Sequence, residues 1–268
     1  MTTEPNDLLA SFDRHERRGP ALPPVRVERT ARTIRHLEPD GGAWIVWSDL
    51  AGAPDPDAVI AAERDRFARL GRAVEWKTYA HDRPSDLGAR LRAAGFVPEE
   101  PETLLLAPAH VVVAATVATD TAPGVRLRRV APDHEDDLAA YRAVHEAVWP
   151  EHAASVVGRL RGLHDADPGA AAGWVAWVDD RPVATGTMAR TPGSPFATLL
   201  AGATVPEARG SGLYRRLLHA RARHALRLGA RWLAVDAGPM SRPILERLGF
   251  HDHGRTTPYR FVPDRRVD

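Results

Sequence analysis

The residues best placed to do chemistry lie between Ala203 and Leu218, in the run Ala-Thr-Val-Pro-Glu-Ala-Arg-Gly-Ser-Gly-Leu-Tyr-Arg-Arg-Leu-Leu. It reads as the end of a strand, a turn carrying Gly210 and Gly212, and the start of a long amphipathic helix. Such a turn leaves the first N–H groups of the helix unpaired, at the end where the helix dipole favours negative charge. Glycines there let the backbone approach a bulky anion, and pyrophosphate is the natural guest. The Lys-Ser/Thr pair of a Walker loop is absent, as is the G-x-G-x-x-G dinucleotide fingerprint. An ordinary left-handed cap before a surface helix would also contain Gly-x-Gly. Arg209, the strand upstream and the length of the helix favour the phosphate reading.

The elements that must position this turn come in two loosely repeated sets. Trp44–Asp49 resembles Trp174–Asp179, Arg69-Leu70-Gly71 resembles Arg227-Leu228-Gly229, and Leu91–Phe96 resembles Leu245–Phe250, all in the same order. The first pair reads as buried strands; the others read as helices closed by a left-handed glycine. Trp44 to Gly95 is 51 positions and Trp174 to Gly249 is 75, so the first copy is about 24 residues shorter. The extra length in the second copy holds two strand-like segments, Arg181–Met188 and Phe196–Val205, joined by the turn Thr191–Pro195. Further strands are expected at 33–37, 74–79, 102–107, 125–130, 232–236 and 250–262. Helices are expected at 6–17, 57–70, 85–94, 135–149 with Asp133 as cap, 154–164, 213–228 and 242–248, while Val111–Val117 could pair as an edge strand. The expected division is an extension at 1–24, a first domain at 25–108, a linker at 109–124 and a second domain at 125–268.

The segment resembles the acyl-CoA-binding turn of the GNAT acyltransferase superfamily, Gln/Arg-x-x-Gly-x-Gly/Ala, with Arg209, Gly212 and Tyr214 at its three defined positions. Tyr214 departs from the pattern, because a tyrosine stands where a small residue is usual. The resemblance spans residues 125 to about 265 and includes Val-Pro-Glu before the turn and Leu-Gly-Phe at 248–250. It implies an α/β fold of two tandem GNAT-like domains, each a mixed, mostly antiparallel sheet flanked by helices. The N-terminal one is truncated and lacks the turn. It also implies acetyl-CoA as acyl donor, contacted by Ala203, Thr204, Val205, Arg209, Gly210, Ser211, Gly212, Leu213 and Tyr214. The reaction implied is N-acetyl transfer, with direct attack of an amine on the thioester. An N–H near Thr204 or Val205 would then polarise the thioester carbonyl. The acidic residue usual on the preceding strand is missing, and Leu245 occupies the usual tyrosine position. The substitute candidates for acid and base are Ser241, Tyr259 and Glu146, with His145, Glu151 and Tyr214 as further possibilities.

Composition limits the alternatives. The 268 residues suit two domains, and the chain has no cysteine, which excludes thiolate nucleophiles, acyl-enzyme thioesters on cysteine and disulfide scaffolds. Net charge is +1, so no global field favours nucleic acid; Lys77 is the only lysine and the other basic residues are arginine. No apolar run is long enough for a membrane helix and the N-terminus has no signal-like pattern, so a cytoplasmic protein with no membrane partner is expected. His251 and His253 share a strand face without a third ligand at sensible spacing, so no metal is expected. The expected acceptor is a small-molecule amine or a peptide, and the expected state is a monomer or homodimer. Two other readings stay open: a catalytically silent acyl-CoA-binding or regulatory protein, and a nucleotide-binding protein that uses the same turn.

Overall fold

The computed structural model describes residues 5–22, 24–39, 41–117 and 124–263. In chain order its elements begin with α1 (Pro5–Phe12), a π-helical turn at Asp13–Arg17, β1 (Arg26–Arg29), β2 (Thr33–Leu37), β3 (Ala43–Ser48), α2 (Pro56–Arg69) and β4 (Val74–Tyr79). Then come α3 (Leu87–Ala93), β5 (Val97–Pro98), β6 (Glu102–Pro108), α4 (Ala109–Thr116), β7 (Val125–Arg129), α5 (Glu135–Val148) and α6 (Pro150–Ala166). The chain continues through β8 (Ala171–Val178), β9 (Arg181–Ala189), β10 (Phe196–Thr204), α7 (Leu213–Arg227), β11 (Trp232–Ala237), α8 (Arg242–Glu246) and β12 (His251–Phe261). Two compact units result. The first takes the described residues up to Leu105 together with Asp236–Pro243 and those from Asp252 on; the second takes Leu106–Val235 and Ile244–His251. Among the described residues no helix is long and apolar enough to cross a membrane.

In the first unit β1, β2 and β3 form an antiparallel meander, and β3 pairs in parallel with β4 through Trp44↔Glu75 and Ile45↔Trp76. On its other edge β4 pairs with β12, from Val74↔Phe261 to Tyr79↔Thr256. The last strand of the chain, which sequence order assigns to the second copy, therefore completes the sheet of the first unit. No local pattern announces a pairing across so many residues. Helix α2 starts where Asp55 accepts the Ala58 N–H at 3.0 Å, with Pro56 in its first turn. It buries Ile60 and Phe67 against Leu37, Ile45, Trp76, Leu91, Phe96 and Tyr259. On the same helix the buried Glu63 accepts from Arg35 Nε at 2.6 Å, Arg35 Nη2 at 2.7 Å and Thr33 Oγ1 at 2.5 Å, which satisfies its charge inside the unit.

In the second unit β7, β8, β9 and β10 form an antiparallel meander. Asp179 and Asp180, at φ +46° and +62°, make the β8–β9 turn; two successive left-handed residues match the twist of a tight hairpin. Successive residues of a strand face opposite sides. Tyr141 and His145 of α5 bond Thr187 and Thr185 of β9, while Gly186 faces Arg221 of α7, so α5 and α7 cover opposite faces. Val130, Leu138, Tyr141, Val157, Leu160 and Val175 form the core on the α5–α6 side.

The recurrent glycines have one structural cause. Gly71, Gly95, Gly229 and Gly249 all have positive φ, between +59° and +93°. The residue after each donates back into the preceding helix: Arg72 to Phe67, Phe96 to Leu91, Ala230 to Ala225 and Phe250 to Leu245, at 3.0–3.2 Å. These are Schellman-type closures, repeated at matching places in the two units.

Strands β1 and β5 are not among the expected elements, and three others differ from the sequence expectation. Residues 109–116 form α4 rather than a strand: the helix follows Pro108, packs with α7, and Thr116 Oγ1 donates to the Val112 carbonyl at 2.6 Å, so tertiary contact overrides the β propensity of the valines. Helix α5 begins after His134 without a side-chain cap, and the acidic first turn Glu135-Asp136-Asp137 supplies the favourable charge instead of Asp133. Helix α6 starts at Pro150, four residues earlier than expected, because proline is accepted in a first turn.

Candidate functional site

The turn that follows β10 is built by the sheet before it. β10 pairs with β11 only at Phe196↔Trp232, Ala197↔Leu233 and Thr198↔Ala234. Among the described residues no β11 register continues beyond Thr198, so from Leu199 onward the β11-side edge of β10 carries no paired strand there. On its other edge β10 pairs with β9 on both sides of a bulge between Leu200 and Ala203. Ala201 sits in that bulge at φ +50°, a left-handed conformation rare for a residue with a Cβ. After the bulge the Val205 N–H donates to the Val183 carbonyl at 2.9 Å. In an antiparallel ladder successive residues point their polar groups to alternate edges. Ala203 and Val205 therefore face β9, and Thr204 presents its N–H to the open edge. Of the two amides expected to polarise a carbonyl there, Val205's is already committed and Thr204's is available.

Pro206–Ala208 make a single 3-10 turn, closed by Ala208 N–H to the Val205 carbonyl at 3.0 Å. Arg209 Nε donates to the Thr204 carbonyl at 3.3 Å, tying turn to strand, and Ser211 Oγ donates to the Ala208 carbonyl at 2.5 Å. Gly210 and Gly212 have φ +77° and +81°, and a Cβ added to either would meet nothing within 4 Å. Backbone conformation requires glycine at both, and the space in front of them is open. Gly212 caps α7 without a side-chain hydrogen bond, so the first N–H groups of the helix have no acceptor within it. Leu213 is 1 % exposed and offers this turn only its main chain.

Tyr214 does not project into that open space. A Cβ on Gly202 would lie 3.8 Å from its ring, and Arg221, two turns along α7, hydrogen-bonds to its hydroxyl. Burial pushes the phenol up, and the neighbouring guanidinium opposes the shift. Turned aside in this way, Tyr214 leaves the anion cradle clear although it stands where small residues are usual. Arg221 is itself buried, and its guanidinium lies where a Cβ on Gly186 would come within 2.9 Å. Its Nη2 has no partner, and burial lowers its proton affinity. Neither Arg221 nor the Ala201 bulge was singled out from the sequence; Gly186 and Gly202, glycines inside strands, were the readable signs of both.

The remaining candidates divide between the units. Glu146 belongs to the second unit, on the exposed side of α5. Its neighbour His145 is fully buried, pairs through Nε2 with Thr185 Oγ1 at 3.0 Å, and is lowered to about 4 by burial, so it is neutral and weakly basic at pH 7. Glu151 is exposed in the first turn of α6. Ser241 and Tyr259 belong to the first unit. Ser241 Oγ donates to the Gly238 carbonyl at 3.3 Å, closing the turn ahead of α8. Tyr259 is 5 % exposed in the first unit's core. His251 and His253 lie on β12, and among the described residues no group of three or more His, Cys, Asp or Glu is arranged to hold a metal ion.

Comparison with known proteins agrees with this geometry. Residues 135–250 match the model described as the acetyltransferase (GNAT) family. No curated protein sequence matches the chain significantly. Among solved structures the chain is similar to a GCN5-related N-acetyltransferase from Kribbella flavida, at 16% identity over 98% of this chain and 96% of that one, with a TM-score of 0.65. It is also similar to a tandem GNAT protein from the clavulanic acid biosynthesis pathway, at 16% identity over 94% and 86% of the two chains and a TM-score of 0.63. A GCN5-related N-acetyltransferase-like protein from Streptococcus suis matches at 12% identity over 89% and 88%, with a TM-score of 0.57. At these identities the solved structures speak for the fold. Residues 135–250 thus match the GNAT acetyltransferase family, and the chain over nearly its whole length shares the fold of GCN5-related and tandem GNAT structures.

Proposed function

We propose that the second unit binds acetyl-CoA at the turn 209–214 and that the protein transfers the acetyl group to an amine by direct attack in a ternary complex. The observation that carries this reading is the continuous main-chain surface from the open edge of β10 at Thr204 to the glycine-framed start of α7. The first-turn N–H groups of α7, with Gly210 and Gly212 in front of them, suit a pyrophosphate. The open edge of β10 suits the extended amide-bearing arm, which would bond to it as an added strand does. The Thr204 N–H is fixed in place before any ligand arrives, which is the requirement for stabilising a developing oxyanion. When bound, the acyl donor supplies an activated thioester carbonyl and a thiolate leaving group.

The chain's own contribution is largely main-chain. An alkylammonium acceptor stays protonated to about pH 10 and must lose a proton before attack. Glu146, exposed on the α5 face of the same unit, is the proposed base, acting directly or through water. The division of labour between the halves follows: among its described residues the first unit has no equivalent of the turn 209–214, so we place donor binding in the second.

The test is release of free thiol from acetyl-CoA with a panel of amines that includes polyamines, amino acids, aminoglycosides and a peptide. Turnover with any of them supports the reading. Binding of acetyl-CoA without turnover on any of them would mark a silent acyl-CoA-binding protein, and tight binding of ATP but not acetyl-CoA would sink the proposal.

A further inference from the structure

The first unit contains a cavity of about 330 Å³ between the end of β4, the start of α3 and β12. That is at the small end of the range for small-molecule sites. Tyr259 forms part of its wall. The residue is 5 % exposed, yet its hydroxyl makes no hydrogen bond among the described residues and is not sealed away from solvent. A buried phenol normally finds a partner. The chain also makes room for this hydroxyl: a Cβ on Gly88 would lie 2.3 Å from the oxygen, so glycine is what lets it stand there.

The charges around the cavity do not cancel. Of the two carboxylates on its wall, Asp82 is paired with the buried Arg17 at 2.8 Å and Asp86 with Arg90 at 3.0 Å. The two arginines on the wall have no such partner among the described residues. Arg92 lies over the Tyr259 ring at 5.4 Å and makes only a long 3.4 Å contact to the Gly88 carbonyl, while Arg255 is exposed and forms no ion pair. One hydroxyl donor without a protein partner and two guanidinium groups without an ion-pair partner on one small cavity select an anion, because guanidinium geometry matches the oxygen pairs of phosphate and carboxylate.

We propose that this cavity binds a small anion through a phosphate or carboxylate group, with the Tyr259 hydroxyl donating to it and Arg92 and Arg255 flanking it. The site is separate from the donor-binding turn and does not depend on the acetyl-transfer reading. The test is calorimetric titration of the full chain with inorganic phosphate and, separately, with succinate, for the wild type, Tyr259→Phe, Arg255→Gln and Gly212→Val. Saturable binding of at least one probe is expected, weakened about tenfold or more in Tyr259→Phe and in Arg255→Gln and retained in Gly212→Val. Arg255 is exposed, so its variant reads the site even if Tyr259→Phe fails to fold. The proposal is overturned if neither probe saturates, if Arg255→Gln binds as the wild type does, or if only Gly212→Val loses binding, which would place the anion at the α7 turn.

Discussion

Replacing Gly212 by valine separates what the α7 turn does for the fold from what it does for a ligand. At φ +81° a residue with a Cβ is strained by roughly 1–2 kcal/mol, and a β-branched one by somewhat more. The added Cβ meets nothing within 4 Å beyond its chain neighbours, so that atom adds no steric penalty to the strain. For a chain of this size each 1 kcal/mol lowers Tm by roughly 2–4 °C, which predicts a fall of about 2–8 °C. The added side chain would occupy the space in front of the first N–H groups of α7. Denying a pyrophosphate two N–H bonds, each worth about 1.5–3 kcal/mol to a charged acceptor, weakens binding by at least about 100-fold. Gly193 supplies the control: it too has φ +81° and nothing within 4 Å, but it lies in the β9–β10 turn. Scanning calorimetry and acetyl-CoA titration on Gly212→Val and Gly193→Val should show similar losses of Tm and a loss of affinity in the first alone. Equal affinity in the two variants would refute the placement of the phosphate site.

Two further predictions concern buried charge. His145 and His224 are each lowered by burial to about 4, below the unfolded value near 6.5. Between those values the unfolded chain binds more protons than the native one, so stability is fully present above about pH 6.5 and falls as pH drops toward 4. The fully buried His145 accounts for about 3 kcal/mol of that loss, so urea midpoints should decline across the window and decline less in His145→Gln; a flat profile would contradict this. Among the described residues Arg221 is buried without a carboxylate partner, bonding the Leu217 carbonyl and the Tyr214 hydroxyl. Arg221→Met should leave stability unchanged or raise it by about 1 kcal/mol in urea denaturation, whereas a loss above about 3 kcal/mol would show that the guanidinium is well satisfied.

Much of the site is legible because it depends on local rules. Gly210 and Gly212 stand where left-handed backbone is needed, and Leu213 begins a helix whose apolar spacing is plain in the sequence. The repeat is legible for a similar reason: each copy keeps the glycine that closes its helices. What the sequence hid is non-local or runs against propensity. The pairing of β12 with β4 joins residues far apart in the chain, and α4 is helical despite its valines. Ala201 adopts a conformation that favours glycine, so the bulge that precedes Thr204 carries no mark except its neighbour Gly202. The direction taken by Tyr214 depends on Arg221 and Gly202, residues of different elements.

The central claim is that the two halves share a fold and only the second holds the acyl donor. Calorimetric titration of the full chain with acetyl-CoA measures this as a stoichiometry. One equivalent per chain, abolished by Gly212→Val, is the predicted result; no saturable binding, or two equivalents with one surviving in the variant, would contradict it.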